Sequence, residues 1–94
     1  MSTVTMYTTD WCPYCRRAEA LLAARGVTAI EHINVDRLAD GRRLMMQRTG
    51  RRTVPQIFVG ERHIGGFDEL TAADRRGDLK AWLAECATMT TSAA

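Results

Sequence analysis

The sequence lacks the features of several protein classes. No apolar run approaches the roughly 18 residues that a membrane-spanning helix needs. The first residues, Met1-Ser2-Thr3, lead into strand-forming residues without the basic and apolar regions of a signal peptide. The net charge is only +2, which is too small to favour nucleic acid as a partner. We therefore expect a cytoplasmic chain that binds neither membranes nor nucleic acid.

Cysteine is also scarce, with three residues in a chain of 94. An odd number of cysteines without an export signal does not favour a disulfide-stapled scaffold, which is typical of secreted chains. Cys12 and Cys15 are separated by two residues, whereas Cys86 is remote and falls on an apolar helical stripe. We expect Cys86 to be an inert, buried thiol. A reducing compartment and one reactive pair account for this distribution.

The length and composition of the chain suffice for one domain. The composition, 46% hydrophobic and 26% charged, is typical of a globular protein, and the length permits one core but no second. Neither an internal repeat nor a linker is present. We expect a single domain over residues 1–94, with its core at about 3–86 and a small, polar, disordered tail at 87–94.

Strand-forming and helix-forming segments alternate along the chain. Pro13 suits the first turn of a helix that Gly26 ends, and Asp36 and Asp68 are expected to cap later helices. Gly41 is expected to weaken the second helix by about 1 kcal/mol relative to alanine. The predicted elements are a strand at 3–8, a helix at 13–25, a strand at 27–35, a helix at 36–48, strands at 56–59 and 63–64, and helices from 67 and 78.

This order, β-α-β-α-β-β-α(-α), predicts an α/β domain. The β-α-β unit gives a parallel strand pair through a right-handed crossover, and the later strands form a hairpin. Helices then cover both faces of the sheet. The cysteine pair lies at the carboxyl end of the first strand, where open α/β sheets place their ligand sites.

Cys12 and Cys15 lie at a strand-to-helix junction, which is typical of a thiol–disulfide redox centre. Free N–H groups at the helix start favour an anion at Cys12, whereas Cys15 lies one turn deeper, where a thiolate is less favoured. Half of a zinc site is the alternative. It needs two further ligands, and Cys86, His32 and His63 do not have matching spacing, so no metal is expected and both histidines are expected to be structural.

Three separated blocks carry a resemblance to a known family. The blocks are Cys12-Pro13-Tyr14-Cys15, Thr53-Val54-Pro55-Gln56-Ile57-Phe58 and Gly65-Gly66-Phe67-Asp68-Glu69-Leu70. In this order and spacing, over residues 3–86, they resemble the dithiol glutaredoxins, a branch of the thioredoxin fold. The resemblance implies a four-stranded mixed sheet in order 2-1-3-4 flanked by helices, with Pro55 in a cis peptide. It also implies an enzyme that reduces glutathione mixed disulfides and protein disulfides.

The resemblance also implies roles for single residues. Cys12 is the nucleophile and Cys15 the resolving thiol, with glutathione as reducing co-substrate, glutathionylated or disulfide-bonded proteins as partners, and a monomeric chain. A thiolate stabilised at Cys12 gains little in attack, because it is a weaker nucleophile, but it leaves a mixed disulfide more readily. For glutathione binding, the resemblance assigns Tyr14, Val54, Phe67 and Asp68. With residues added from their position in the sequence, the expected glutathione-binding residues are Tyr14, Arg52, Thr53, Val54, Pro55, Gly66, Phe67 and Asp68.

Physical reasons support these binding residues. A cis bond before Pro55 turns the Val54 backbone outward, so that glutathione can bind as a short added strand. Gly66 allows close approach, and the following helix start can receive a carboxylate, with Asp68 as acceptor for the ammonium group. Arg52 adjoins the Val54 edge and is expected to bind the glycyl carboxylate.

Other functions stay open. The family commonly carries a lysine three residues before the first cysteine, where this chain has Thr9, and Trp11 is similar to the thioredoxins and mycoredoxins. The same chemistry with mycothiol or thioredoxin reductase as donor is therefore the second interpretation. An iron–sulfur carrier, with a [2Fe–2S] cluster held through Cys12 of two chains, is the third. Pro13 and Tyr14 disfavour it, because cluster-holding relatives typically have other residues beside the thiol.

Overall fold

The computed structural model describes the backbone of residues 4–93 and the side chains of residues 4–85. The expectation for Cys86 lies outside the described side chains. Residues 87–93, expected as part of a tail, belong to α4 in the described backbone. The predicted element order is confirmed, including both final helices. The elements are β1 (Val4–Thr8), α1 (Pro13–Ala24), β2 (Ile30–Asn34), α2 (Gly41–Thr49), β3 (Gln56–Val59), β4 (Arg62–Gly65), α3 (Phe67–Arg76) and α4 (Asp78–Ala93).

The four strands form one mixed sheet in the order β2-β1-β3-β4, as the resemblance implied. β1 runs parallel to β2, with Tyr7 opposite Ile33, and antiparallel to β3, with Tyr7 opposite Gln56. β3 and β4 are antiparallel. The end of β1 and the start of β3 therefore lie at the same end of the sheet. This pairing brings the cysteine loop and Val54-Pro55 to one end of the molecule.

Helices pack on both faces of the sheet, which confirms the layered α/β fold. A smaller cluster of buried residues, Tyr7, Val35, Met45 and Phe58, joins the sheet to α2. The larger cluster joins the other face to α1, α3 and α4 and includes both thiols. Its members are Val4, Met6, Cys12, Cys15, Ala18, Leu22, Ile57, Val59, Leu70, Ala73 and Leu79.

The second strand is shorter than predicted, because β2 covers residues 30–34 rather than 27–35. Val27 donates its N–H to Leu22 O at 3.0 Å and so extends the turn that ends α1. Val35 donates to Thr8 O at 2.9 Å but then enters a turn. Among residues 4–93, no helix is long and apolar enough to cross a bilayer.

The start of the second helix was predicted wrongly. Asp36 does not cap it: α2 begins at Gly41, behind Asp40, and Asp36 accepts a hydrogen bond from Arg42 Nε at 2.9 Å. A Cβ on Gly41 would lie 2.7 Å from Val35 O. The glycine therefore allows the helix start to lie against the backbone that follows β2, rather than weakening a helix interior.

The cap of the third helix also differs from the prediction. Gly66, not Asp68, occupies the N-cap of α3, and Asp68 is the second helical residue. Glu69, the third helical residue, reaches back and accepts the Gly66 N–H at 2.8 Å. This contact from the Glu69 side chain starts the helix earlier than the side-chain preference of aspartate suggested.

Candidate active site

Cys12 occupies the N-cap of α1, as the junction of strand and helix predicted. Its backbone is extended, with φ −148° and ψ 95°, and its Sγ accepts the Cys15 N–H at 3.2 Å. The side chain is buried. An acceptor that meets a free N–H at a helix start is stabilised most when it carries negative charge. The local backbone therefore supplies Cys12 Sγ with a hydrogen-bond donor at the start of a helix.

Cys15 has the opposite environment. Its residue is 3% exposed, and burial, followed by its hydrogen bond with Cys12, raises the pKa of its thiol to about 12. The group therefore stays protonated at neutral pH. Both cysteines are free thiols. Cys15 is thus the thiol that keeps its proton, whereas Cys12 Sγ accepts a backbone N–H.

A groove of about 320 Å³ lies beside the cysteine loop. It contains seven of the eight residues that the sequence nominated for glutathione. Arg52 is exposed and does not line the groove, whereas Arg51 and Glu69, which the sequence did not nominate, do. The lining residues are Tyr14, Arg51, Thr53, Val54, Pro55, Gly66, Phe67, Asp68 and Glu69.

One wall of the groove is the segment before β3. The Val54-Pro55 peptide bond is cis, which confirms that prediction. The ladder between β1 and β3 begins at Gln56, so the Val54 backbone precedes the paired strand. Gln56 is buried and its Nε2 donates to Thr53 O at 3.0 Å. The internal amide thus holds this wall in place and leaves its backbone edge for an incoming chain.

The facing wall is the start of α3. Phe67 and Asp68 are the first two residues of a helix of 10 residues, and N–H groups at these positions have no partner within the helix. Such a helix start binds anions. The ring of Phe67 lies 5.9 Å from the ring of Tyr14, which closes the end nearer the cysteines. The wall therefore combines an anion site, an acidic side chain and an aromatic contact.

Arg51 is the basic residue of the groove. Its Nη1 lies 2.6 Å from Glu69 Oε1. The Gly66 N–H and, after it, the hydrogen bond from Arg51 lower the pKa of Glu69, so this carboxylate is charged at neutral pH. The spacing from Gly66 to Glu69 matches a helix cap followed by its third residue, and this signal could have identified Glu69 from the sequence.

A second cavity, of about 280 Å³, contains both thiols and shares no lining residue with the groove. We call it the thiol cavity. Among its side chains, Glu19 and His32 are hydrogen-bonded to each other through Oε1 and Nε2. The lining residues are Thr8, Thr9, Asp10, Cys12, Cys15, Arg16, Glu19, His32 and Asn34.

The exposed surface around the cysteine loop is aromatic and basic. Trp11 is 79% exposed, and the guanidinium of Arg16 lies 5.8 Å from its ring centroid. Arg17 lies 5.3 Å from the ring of Tyr14. Thr9, at the position of the family's usual lysine, donates from Oγ1 to Trp11 O at 3.2 Å. Thr9 therefore orders the loop but supplies no charge.

The two histidines considered as zinc ligands have separate partners. His32 contacts Glu19, and His63 contacts Gln56 Oε1 at 2.8 Å. Burial, followed by the charge of Arg51, lowers the pKa of His63. Among the side chains of residues 4–85, no three histidine, cysteine, aspartate or glutamate residues lie together as a metal site.

Comparisons with known proteins agree with this geometry. The glutaredoxin family model matches residues 4–64. Glutaredoxin 3 of Escherichia coli (strain K12) is 49% identical over 79 residues, which cover 84% of this chain and 94% of the relative. The glutaredoxin of Pseudomonas aeruginosa is 46% identical over 83 residues, with coverages of 88% and 98%.

Solved structures give the same result. The crystal structure of the buckwheat glutaredoxin–glutathione complex matches with a TM-score of 0.81 at 34% identity, covering 90% of this chain and 79% of that one. Fold, site and sequence thus identify the same group of proteins. The chain belongs to the glutaredoxin family and is a thiol–disulfide oxidoreductase.

Proposed function

We propose that this thiol–disulfide oxidoreductase takes its electrons from glutathione and reduces glutathione mixed disulfides and protein disulfides. The composition of the groove carries the proposal. It combines an unpaired backbone edge, a helix start that suits an anion, and an arginine. Glutathione offers an extended peptide with a carboxylate at each end. The buckwheat relative, solved as a complex with glutathione, supports the same ligand.

Each part of the tripeptide has a complementary partner. The Val54 backbone pairs with the cysteinyl unit as a short added strand. The N–H groups of Phe67 and Asp68 receive the γ-glutamyl carboxylate, and the Asp68 carboxylate receives the ammonium group. Arg51 takes the glycyl carboxylate, because it, and not Arg52, lines the groove.

The reaction divides between the two cysteines. The Cys12 thiolate attacks the glutathione sulfur of a mixed disulfide, and the protein thiol leaves. A second glutathione then attacks that glutathione sulfur, and Cys12 leaves as a thiolate that the start of α1 stabilises. With a protein disulfide, Cys15 instead attacks Cys12 Sγ, which releases the substrate thiol and closes an internal disulfide that glutathione later reduces.

Turnover on a glutathione mixed disulfide, with glutathione as the only reductant, tests this function. Cys12→Ser should abolish turnover, because it removes the nucleophile, whereas Cys15→Ser should retain it, because the second glutathione does not need Cys15. Equal loss in both variants would contradict the one-cysteine route. Faster turnover with mycothiol, or with thioredoxin reductase, would assign another donor.

We also propose that the protein works as a monomer in the cytoplasm on glutathionylated or disulfide-bonded proteins. The groove and both thiols come from one chain, so a single copy carries the complete site. Regeneration by glutathione requires a compartment in which this thiol is kept reduced. Light scattering during size-exclusion chromatography tests the monomer, and fractionation of cells tests the compartment.

A further inference from the structure

The thiol cavity has a composition that glutathione binding does not explain. It opens onto Cys12 and Cys15, and its polar wall comes from α1, from β2 and from the loop after β1. The groove for the tripeptide lies elsewhere and uses none of these residues. The cavity therefore provides a polar environment for the reacting sulfurs themselves.

The step that needs such an environment is the attack by Cys15. This thiol must lose a proton before its sulfur can displace a substrate from Cys12, because the thiolate is the attacking species. Cys15 is buried in the larger core cluster, where a charged sulfur is disfavoured. Once Cys12 is part of a mixed disulfide, its sulfur carries no charge with which to accept that proton. Another acceptor has to be within reach.

Glu19 is well placed to meet this need. It follows Cys15 by four residues in α1, so both side chains lie on the same helical face. Side chains in a helix lean towards its N-terminus, which directs Glu19 back over the turn that carries Cys15. His32 enters from β2, where it stands opposite Met6, and binds Glu19 across the cavity.

The other charged groups of the cavity are less suitable. Asp10 Oδ1 accepts from Asn34 Nδ2 at 2.8 Å and lies 3.0 Å from Arg37 Nη2, while Oδ2 accepts from Arg37 Nε at 3.3 Å. Both oxygens of Asp10 are therefore already engaged by Asn34 or Arg37. Arg16 is a permanent cation. The titratable or charged groups facing the cavity are Asp10, Cys12, Cys15, Arg16, Glu19 and His32.

We propose that the Glu19–His32 pair accepts the proton of Cys15 when Cys15 attacks a mixed disulfide at Cys12. The proton passes to the imidazole, directly or through a water molecule in the cavity. Glu19 is the positioning residue that orients the ring and stabilises the imidazolium. This role rests on the two-cysteine route proposed above, and not on which thiol regenerates the enzyme.

The step balances within the site. The Cys15 thiolate forms a bond to Cys12 Sγ as the bond between Cys12 and the substrate sulfur breaks. The substrate leaves as a thiolate with the electron pair and takes up the proton from the imidazolium. The two cysteines are oxidised by two electrons over the full reaction, and the substrate disulfide is reduced by two.

A chromogenic disulfide isolates this step from the choice of donor. Reduced protein attacks 5,5′-dithiobis(2-nitrobenzoate), and Cys12 releases one equivalent of 5-thio-2-nitrobenzoate. Cys15 then displaces the second equivalent, and stopped-flow absorbance gives its rate. Glu19→Gln and His32→Gln should slow the second release about tenfold or more. His32→Gln should also remove one ionisation from the pH profile of this rate.

Three controls separate this role from a structural one. Glu61→Gln makes the same charge change in the turn between β3 and β4 and should keep the wild-type rate. Glu19→Asp retains the carboxylate and should recover part of the rate. In a Cys15→Ser background, Glu19→Gln should not change the first release, because Cys15 is absent.

Two results would overturn the proposal. An unchanged second release in both variants would mean that solvent accepts the proton. Equal slowing of both releases would mean that the pair acts through Cys12 or through the fold, and circular dichroism would show which. Neither result bears on glutathione as donor, because no glutathione enters the experiment. Absence of any second release in the wild type would instead contradict the two-cysteine route itself.

Discussion

At the scale of single residues, the site depends on the difference between two sulfurs three positions apart. Cys12 Sγ accepts an N–H at the start of α1, whereas the Cys15 thiol is buried behind it. Residue type and spacing predicted this difference, because a cap position and the next turn of a helix have fixed relations to the backbone. The two cysteine side chains are chemically identical, but their surroundings give them different reactivities.

Cys15 should resist alkylation over a wide pH range. Burial raises the pKa of its thiol from 9.0 to about 12, so the reactive thiolate is scarce at neutral and mildly alkaline pH. Peptide-resolved mass spectrometry after iodoacetamide treatment should show modification of Cys12 before Cys15. Equal labelling rates would contradict the assignment.

The same shift has a consequence for stability. Since the folded pKa lies above the unfolded value, the contribution of Cys15 is complete below about pH 9 and is lost as the pH rises from about 9 to 12. Urea unfolding should therefore show an alkaline loss of stability that is smaller in Cys15→Ala than in the wild type. A loss of the same size in both proteins would assign it to other groups.

Arg51 should determine the affinity for glutathione more than Arg52 does. Arg51→Gln removes the charged hydrogen bond that we propose to the glycyl carboxylate and is expected to raise KM for glutathione about tenfold, with kcat nearly unchanged. Arg52→Gln is the matched control, because it makes the same change at an adjacent, exposed arginine outside the groove. A larger effect of Arg52→Gln would restore the prediction made from sequence.

At the scale of elements, the sequence predicted which helices and strands form, and their order, better than the residues at which the helices begin. Pro13 predicted the start of α1, because its fixed φ suits a helix while its missing N–H is tolerated only in the first turn. The starts of α2 and α3 depend on contacts that local preference does not contain. Gly41 lies against the Val35 backbone, and Glu69 reaches back to Gly66. Aspartates that looked like caps, at 36 and 68, were therefore misleading.

Prediction of the site residues from sequence was limited in the same way, by contacts that form only in the folded chain. Backbone-defined residues such as Val54, Pro55 and Gly66 could be nominated from sequence, because their role follows from residue type and order. Arg51 could not be separated from Arg52, since adjacent side chains point in different directions that only the folded chain fixes. The contact between Glu19 and His32, on different elements, leaves no local pattern either.

The start of α3 should lose stability when Glu69 is removed. Glu69→Ala deletes the bond to the Gly66 N–H and is expected to lower the free energy of unfolding by about 1 kcal/mol. Glu69→Gln keeps an acceptor at this position and is the matched control. The comparison by urea unfolding at neutral pH should therefore place Glu69→Gln between Glu69→Ala and the wild type.

The contribution of Glu69 should also depend on pH in a defined direction. Its pKa in the folded chain lies below the ordinary value of 4.5, because the Gly66 N–H and then Arg51 stabilise the carboxylate. The stability it contributes is therefore present above about pH 4.5 and is lost as the pH falls through the folded pKa. A constant difference between wild type and Glu69→Gln down to acid pH would contradict this origin.

At the scale of the whole molecule, the sheet order assembles the groove from distant segments. Tyr14, the segment 51–55 and the segment 66–69 are far apart in sequence, and they meet because β1 pairs with β3 and β3 with β4. No one segment contains the groove. Ligand binding is therefore a property of the folded chain and should shift the folding equilibrium.

A glutathione analogue without a free thiol should raise the melting temperature. S-methylglutathione at one hundred times its Kd should stabilise the fold by about 2.7 kcal/mol, because it binds the folded state alone. Arg51→Gln should show a smaller shift at the same ligand concentration, and Arg52→Gln the wild-type shift. Differential scanning calorimetry measures both. A shift that is equal in all three proteins would place the ligand outside the groove.

The cap at Cys12 has a consequence for the energetics of electron transfer. The helix start stabilises the sulfur as an anion, and oxidation to a disulfide removes that anion. In a thermodynamic cycle, whatever free energy the N–H of Cys15 and the helix dipole give to the thiolate opposes oxidation of the pair. For a two-electron couple, about 1.4 kcal/mol corresponds to about 30 mV. One hydrogen bond at the first turn of α1 therefore shifts the couple towards a stronger oxidant and a weaker reductant, relative to the same fold without that bond.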